Sequence, residues 1–280
     1  MRLTEGSLVL CSGMLGRAPI AAKADAAAAA GFDGISVYAR EYVVGLPRIV
    51  GDLGLAVAEI DGAMSWLAGN QGPEPAAVID LACALRARAI TVLESSGIAV
   101  DPTRAAEAFA RVCDLAWAAD PRLLVHIEPF PFSGIASVAA ASEIVQRAQR
   151  PNGGILLDTW HLARGDDGGL IPDGADGAHI AGLQISGVAA VPGADVREEC
   201  MQGRLAPNAW TRRVVSEARG RGCTAPLEIE VFSAALDGRE PKDIAQYAMA
   251  SLQALAPWPV TDIRPTSRDT AQLHERGNET

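Results

Sequence analysis

The segment GGILLDTWHLARG, residues 153–165, decides the fold of this chain. It begins as a short apolar run without polar alternation, which is typical of a strand buried on both faces of a parallel sheet. The run ends at Asp158, and a helix-like stretch follows it directly. A strand–helix unit of this kind predicts an α/β protein if the unit recurs along the chain.

The unit recurs from one end of the chain almost to the other. Eight apolar runs are predicted to be strands, at 8–11, 34–38, 55–60, 89–93, 123–127, 154–157, 181–185 and 227–231. Helix-like segments lie between them, for example at 18–30, 75–86, 102–119, 137–148 and 209–219. Eight such units in about 260 residues predict a single closed (β/α)8 barrel rather than an open doubly wound sheet.

This barrel is expected to account for residues 1–260. The polar segment 261–280 has no apolar period and is expected to be a loosely ordered C-terminal tail. One unit is weak, because the segment 41–51 is short for a full helix. No GxGxxG motif follows the first strand, so the usual dinucleotide-binding site is not predicted.

The composition limits the classes of partner. The 280 residues include 24 Lys plus Arg and 34 Asp plus Glu, which gives a formal net charge of −10. A protein that follows a nucleic-acid backbone needs a basic surface, so no nucleic-acid partner is expected. A small anionic substrate stays open, because a bound divalent cation can invert the local sign of charge.

The cysteines and the N-terminal segment indicate the cellular compartment in which the protein is expected. Five cysteines without a CxxC pair indicate reduced thiols rather than a disulfide framework or a zinc knuckle. No apolar stretch approaches the ~18 residues of a membrane span. The N-terminal residues also lack the apolar region and cleavage site of a signal peptide. We therefore expect a cytoplasmic protein with no membrane partner, and a homo-oligomer stays open.

Oxygen-bearing side chains stand within or just after four consecutive predicted strands, where the active site of such a barrel lies. They are Glu128, Asp158, Gln184 and Glu230. Carboxylates in apolar runs are costly, and three that converge on one barrel mouth would repel one another. A divalent cation between them would resolve both difficulties. The alternative is a separate Arg or Lys partner for each acid.

The ordered series HIEPFPFSG, GILLDTWHLARG, IAGLQISG, GRLAP and PLEIEVFS resembles the xylose isomerase-like TIM barrels, the family of sugar phosphate isomerases and epimerases. The resemblance covers about residues 5–255 and is most specific in the second half. It implies that Glu128, Asp158, Gln184 and Glu230 hold one metal ion. Because all four would bind through oxygen, Mn²⁺ or Mg²⁺ is expected more than Zn²⁺, and Co²⁺ would also serve.

The resemblance also implies a type of chemistry. The metal would bind the hydroxyl and carbonyl of a small polyhydroxylated or keto substrate and acidify the neighbouring C–H, and Glu128 and Glu230 would transfer the proton. His161 resembles the family's substrate-contacting histidine. Arg204 resembles the arginine that fixes an anionic or oxyanionic substrate group.

Two further polar residues share inward faces with these candidates. His126 lies two residues before Glu128, and Glu228 lies two residues before Glu230. We expect His126 to be a hydrogen-bonded core histidine rather than a metal ligand. We expect Glu228 to support the metal site from deeper in the barrel.

Departures from the family pattern keep the reaction open. Gly187 stands where Asp is frequent after the strand-seven ligand, and PNAW at 207–210 replaces PGxG. Gln184 is typical of members that resemble 3-dehydroshikimate dehydratases, but near the end of strand three the ionisable residue is Asp61 rather than histidine. The first hypothesis is a metal-dependent isomerase or epimerase. The alternatives are a metal-dependent dehydratase and a barrel that binds a ligand without turnover.

Overall fold

The structure is a computed structural model that describes residues 2–62 and 64–258. As predicted, eight parallel strands form one closed (β/α)8 barrel in chain order, with β8 pairing back onto β1. The strands are β1 (Leu8–Cys11), β2 (Gly34–Tyr38), β3 (Ala56–Asp61), β4 (Ala89–Leu93), β5 (Leu124–Glu128), β6 (Gly153–Asp158), β7 (Ile180–Ile185) and β8 (Leu227–Ile229). The tail predicted at 261–280 lies outside the described residues.

Helices surround the barrel between successive strands. They are α1 (Ile20–Ala30), α2 (Leu46–Asp52), α3 (Pro75–Leu85), α4 (Pro102–Ala119), α5 (Val138–Ala148), α6 (Thr159–Arg164), α7 (Val196–Gln202), α8 (Ala209–Gly220) and α9 (Pro241–Gln253). The start of α4 shows the local cause: the side chain of Asp101 accepts a hydrogen bond from the backbone N–H of Arg104 at 2.9 Å. Pro102 occupies the first helical position, where no N–H is needed.

Strand bounds agree with the prediction to within two residues, and the weak unit at 41–51 is short in the structure as well. It contains a 3₁₀ turn at Ala39–Glu41 and then α2, which has seven residues. The carboxylate of Glu41 accepts hydrogen bonds from Lys23 Nζ at 2.6 Å and from the backbone N–H of Tyr38 at 3.0 Å. These hydrogen bonds hold Ala39–Glu41 in a 3₁₀ turn, so α2 begins only at Leu46 and is short.

A layer of polar side chains crosses the barrel interior below the strand ends. Two contacts centre on Glu59: Gln184 Nε2 donates to Oε1 at 3.0 Å, and His126 Nε2 lies 2.9 Å from Oε2. Ser36 donates to Glu228 in the same layer. We call this set the lower polar layer; it comprises Ser36, Glu59, Thr91, His126, Gln184 and Glu228, all of them buried.

Gly182 in β7 makes room for this layer. A Cβ atom at this position would lie 2.5 Å from His126 Nδ1 and 2.4 Å from Leu156 Cδ1. His126 has no exposed surface and contacts Glu59, so it cannot move away freely. The packing of the lower polar layer therefore requires glycine at this point of the strand.

We predict that Gly182→Ala destabilises the protein by about 1–3 kcal/mol, the usual cost of overpacking a core. Thermal unfolding should show a Tm lower by several degrees. Gly51→Ala in α2 is the matched control, because nothing lies within 4 Å of its added Cβ and alanine favours helix. Equal melting temperatures for the two variants would contradict this account of Gly182.

Candidate active site and metal centre

The four predicted ligands lie together at the carboxyl-terminal ends of the last four strands. Glu128 ends β5, Asp158 ends β6, and Glu230 directly follows β8. Asp158 and Gln184 are register neighbours on β6 and β7. All four side chains are buried, with Glu128 the most exposed at 7%. The closed barrel therefore brings residues that are far apart in sequence to one side of its mouth.

Arg204 lies between two of these acids. Its Nη1 donates to Asp158 Oδ2 and to Glu230 Oε2, both at 2.8 Å. Its Nε donates to the carbonyl of Cys200 at 2.9 Å, and its guanidinium lies 5.2 Å from the centre of the Phe232 ring. Arg204 is only 1% exposed, so it is a buried bridge within the site rather than a surface charge.

His161 approaches the same cluster because of the way α6 begins. Asp158 caps this helix: its Oδ1 accepts a hydrogen bond from the backbone N–H of His161 at 2.8 Å. The imidazole Nε2 then lies 3.3 Å from Glu128 Oε1 and 3.4 Å from Arg204 Nη2. The sequence DTWH thus gives both a carboxylate and an imidazole to the barrel mouth. We call Glu128, Asp158, His161, Gln184, Arg204 and Glu230 the strand-end cluster.

The donor atoms of this cluster fit a divalent cation. One ligand atom each of Glu128, Asp158 and His161 lie within 4.8 Å of one another. The Oε1 atom of Gln184 is buried and has no hydrogen-bond partner among residues 2–62 and 64–258. Unpartnered buried oxygens next to clustered carboxylates are the environment that a hard cation satisfies. Arg204 forms ion pairs with Asp158 and Glu230 and so neutralises part of their negative charge. In the described chain, Glu128 has no contact with an arginine.

The electrostatics of the cluster differ from one carboxyl to the next. Burial raises the pKa of Glu128 to about 8, with a further contribution from the charge of Asp158. Burial also raises the pKa of Glu230 to about 8, although Arg204 opposes this shift. Burial acts on Asp158 too, but Arg204 and His161 outweigh it and lower its pKa. Asp158 is therefore the permanently ionised member of the cluster.

His161 is neutral at physiological pH. Burial lowers the pKa of its imidazole to about 4, although the charge of Asp158 opposes this effect. A neutral imidazole has one nitrogen lone pair that can accept a proton, a hydrogen bond or a metal ion. His161 can therefore contact a substrate, as the sequence resemblance implies, or bind a metal ion, which was not expected.

Residues of β1 and β3 complete the site, and most of them were not among the candidate site residues predicted from the sequence. Cys11 donates from Sγ to Glu230 Oε1 at 3.2 Å. Glu59 contacts Gln184, and Asp61 is buried at the end of β3. A signal for the last two exists: Glu59 and Asp61 alternate around one apolar residue, as Glu228 and Glu230 do. That alternation places both acids on the inward face.

A cavity of about 270 Å³ lies between the ends of β8 and β1, and its lining does not include the strand-end cluster. Gly13 and Phe232 line it, together with Arg17 and Arg239, which are exposed. The ring of Phe232 also contacts the guanidinium of Arg204 and so separates the cavity from the buried acids.

The chain belongs to the xylose isomerase-like TIM barrel family, whose model matches residues 24–255. The match spans most of the chain, and it defines the class of protein. A comparison with curated protein sequences gives no match. In the described part of the chain, no helix has both the length and the apolar character needed to cross a membrane.

Solved structures share the barrel at low sequence identity. The IolI protein with a bound zinc atom is 14% identical over 89% of this chain and 97% of its own, with a TM-score of 0.74. D-Psicose 3-epimerase with D-tagatose from Clostridium cellulolyticum H10 is 15% identical over 89% and 97%, with a TM-score of 0.67. The probable 3-DHS dehydratase AsbF from Bacillus anthracis is 16% identical over 88% and 98%, with a TM-score of 0.62.

The same barrel also occurs within a longer protein. The chain matches a xylose isomerase-like TIM barrel/4-hydroxyphenylpyruvate dioxygenase fusion protein with 19% identity and a TM-score of 0.73, and it covers only 42% of that protein's length. At these identities the similarities establish a shared fold.

The raised carboxyl pKa values predict how stability depends on pH when a chelator is present. Folding raises the pKa of Asp61 to about 7 and those of Glu128 and Glu230 to about 8, above their unfolded values of about 4. The folded state then binds more protons than the unfolded state between these limits. These three groups therefore contribute stability that is complete below about pH 4, decreases as the pH rises, and is lost once the pH passes 7 and 8.

In EDTA, the Tm should fall between pH 6 and pH 9, and Glu128→Gln, which cannot ionise, should show a smaller fall. Thermal melts at constant ionic strength measure this. Excess Mn²⁺ should reduce the pH dependence, because the ion replaces the protons. A Tm that rises with pH in EDTA would show that these carboxyls are ionised without any ion.

Proposed function

We propose that this chain is a divalent-metal-dependent isomerase or epimerase that transfers a proton beside the carbonyl of a small polyhydroxylated or keto substrate. The observation that carries this proposal is the convergence of Glu128, Asp158 and His161 within 4.8 Å at the barrel mouth. Gln184 is the register neighbour of Asp158, and its side-chain oxygen has no hydrogen-bond partner among residues 2–62 and 64–258. Arg204 joins Glu230 to Asp158. The similarity to D-psicose 3-epimerase, although limited to the fold, agrees with this class of reaction.

The metal would be held by Glu128, Asp158, Gln184 and Glu230, and Mn²⁺ or Mg²⁺ suits four oxygen donors best, with Co²⁺ as a further candidate. When bound, such an ion acts as a Lewis acid that makes a C–H next to a coordinated carbonyl easier to deprotonate. The imidazole of His161 lies close enough to serve as a nitrogen ligand, which would favour Zn²⁺, the ion bound by the IolI protein.

Proton transfer requires a group that can both take and return a proton, and two carboxyls of the cluster meet this requirement. Glu128 faces the neutral imidazole of His161 at 3.3 Å and has no arginine contact among the described residues. Glu230 is held from both oxygens, by Arg204 at Oε2 and by Cys11 at Oε1. We therefore propose Glu128 as the more mobile acid–base group and Glu230 as the fixed one.

Arg204 and the burial of the cluster complete the proposed mechanism. Arg204 keeps the Asp158 carboxylate ionised and holds it in place for the metal. Its Nη2 points towards His161, and a substrate oxygen that replaced this contact would receive a charge-assisted hydrogen bond. Every member of the cluster is at most 8% exposed, so water has little access to a carbanion-like intermediate.

One observation favours a second function, a metal-dependent dehydratase that eliminates water from a cyclic keto acid. Gln184 occupies the β7 position at which members resembling 3-dehydroshikimate dehydratases have glutamine, and the fold is shared with AsbF. The end of β3 argues against it, because Glu59 and Asp61 stand there rather than a histidine. Both reactions begin with removal of a proton next to a carbonyl. The isomerase or epimerase then returns the proton to another atom or face of the substrate, whereas the dehydratase releases a hydroxyl group with a proton as water.

We predict about one Mn²⁺-like ion per chain and catalysed hydrogen exchange into a ketose or dehydroshikimate in deuterated water. Elemental analysis measures the ion, NMR measures the exchange, and ultraviolet absorbance detects an aromatic product of dehydration. Exchange without absorbance supports the isomerase or epimerase, and absorbance supports the dehydratase. A metal-free protein that is insensitive to chelators would refute both, and a metal-bound protein without exchange would favour a non-catalytic binding barrel.

The metal preference should change in Gln184→His. The formal charge of the ligand set stays at −3, because a neutral imidazole replaces an amide, but one oxygen donor becomes a nitrogen donor. Affinity for Zn²⁺ and Co²⁺ should therefore rise relative to Mn²⁺ and Mg²⁺ in competition titrations. An unchanged preference would mean that Gln184 does not contact the metal.

A further inference from the structure

We infer that Glu59 is a positioning residue that aims the side-chain amide of Gln184, so that its oxygen faces the strand-end cluster. This inference rests on the proposed metal centre. It assigns a role to a residue of β3 that lies 125 positions away in sequence and on the opposite side of the barrel.

The direction of the amide decides whether Gln184 can be a ligand. A glutamine side chain has an acceptor oxygen and a donor nitrogen at nearly equivalent positions, and only the oxygen binds a cation. In the structure Nε2 donates to Glu59 Oε1 at 3.0 Å. Oε1 is the atom left without a partner within the described chain, and it is buried. An amide turned by 180° would present its N–H groups to the cluster instead.

Glu59 is itself held as an acceptor. His126 Nε2 lies 2.9 Å from Glu59 Oε2 and 3.3 Å from Thr91 Oγ1. In the Nε2–H tautomer, the imidazole donates to this oxygen of Glu59. Each oxygen of Glu59 thus faces an N–H donor. Glu228 also hydrogen bonds to Glu59.

The Nε2–H donor of His126 determines how a new amide at position 59 would be oriented. In Glu59→Gln, the new amide oxygen would accept from His126 Nε2–H, and the new NH₂ group would face Gln184. Gln184 would then turn its oxygen towards position 59 and its NH₂ towards the metal. Loss of a group that orients a metal ligand typically lowers metal affinity by about 10–100-fold.

The test is the Mn²⁺ dissociation constant, measured by titration calorimetry for the unmodified protein and for four variants whose far-UV spectra and Tm in EDTA are recorded first. Glu59→Gln should bind Mn²⁺ about 10–100-fold more weakly. Glu228→Gln is the matched control. It removes one carboxyl from the same lower polar layer. Glu228 is the register neighbour of Gln184 on β8, but no hydrogen bond joins their side chains in the described structure, and the amide of the variant can still donate to Glu59. Its affinity should change clearly less.

The third variant exchanges the two groups. In Glu59→Gln combined with Gln184→Glu, the NH₂ of residue 59 donates to one carboxylate oxygen of residue 184, and the other oxygen faces the cluster. The number of carboxyls is that of the unmodified protein. The proposed ligand set then carries −4 rather than −3, which by itself strengthens Mn²⁺ binding, so Gln184→Glu alone is measured in the same way. Gln184→Glu should raise the affinity more in the Glu59→Gln background than in the unmodified protein, whereas a merely structural defect at position 59 would leave the two gains equal.

The outcomes separate this inference from the proposed function. If the unmodified protein does not bind Mn²⁺, the metal centre is wrong and the role of Glu59 falls with it. If the unmodified protein binds Mn²⁺ but Glu59→Gln and Glu228→Gln weaken binding equally, or Gln184→Glu adds no more affinity in the Glu59→Gln background than in the unmodified protein, the inference alone is overturned. Weak binding by Glu59→Gln supports it when Gln184→Glu restores more affinity in that background than it adds to the unmodified protein.

Discussion

The arrangement of the barrel mouth depends on one interaction, the guanidinium of Arg204 between the carboxylates of Asp158 and Glu230. The two contacts, each 2.8 Å long, lie in a nearly water-free interior, where charge interactions are much stronger than at the surface. Arginine cannot lose its proton, so this positive charge is permanent. Removal of one partner of a buried ion pair typically lowers the free energy of unfolding by about 3–5 kcal/mol. The loop that carries Arg204 is therefore held in place by its ion pairs with Asp158 and Glu230.

The number of acids in the interior explains why one arginine is not enough. The inward faces of the strands carry six buried carboxyls, Glu59, Asp61, Glu128, Asp158, Glu228 and Glu230. Arg204 forms ion pairs with two of them. The remaining acids must share protons, pair with neutral donors or bind a cation. The pKa values of Glu128, Glu230 and Asp61 are raised because these buried acids lack enough positive charge around them. A divalent ion would supply that charge, and its binding would therefore be favourable.

Sequence patterns predicted the features that depend on residues close together in the chain. The eight apolar runs gave the closed barrel, and the strand ends gave the positions of Glu128, Asp158 and Gln184, because the carboxyl ends of parallel strands meet at one face. The burial of Arg204 could not be predicted in this way. It depends on Cys200 and Phe232, which approach from separate units of the fold. The contact of Glu59 with Gln184 crosses the barrel, and no local period encodes a contact across the interior.

The lower polar layer shows why a neutral amide suits the β7 position. An amide is a weak ligand that can turn its nitrogen towards a cation, so it is useful in a metal site only if its orientation is fixed. In this barrel the fixing group is an acid, and the acid is fixed by a neutral histidine for which Gly182 makes room. A carboxylate at position 184 would add a further negative charge beside Glu59 and Glu228 in the same layer. Glutamine contributes an oxygen to the cluster and an N–H donor to the layer beneath it, and so it joins the two without adding charge to either.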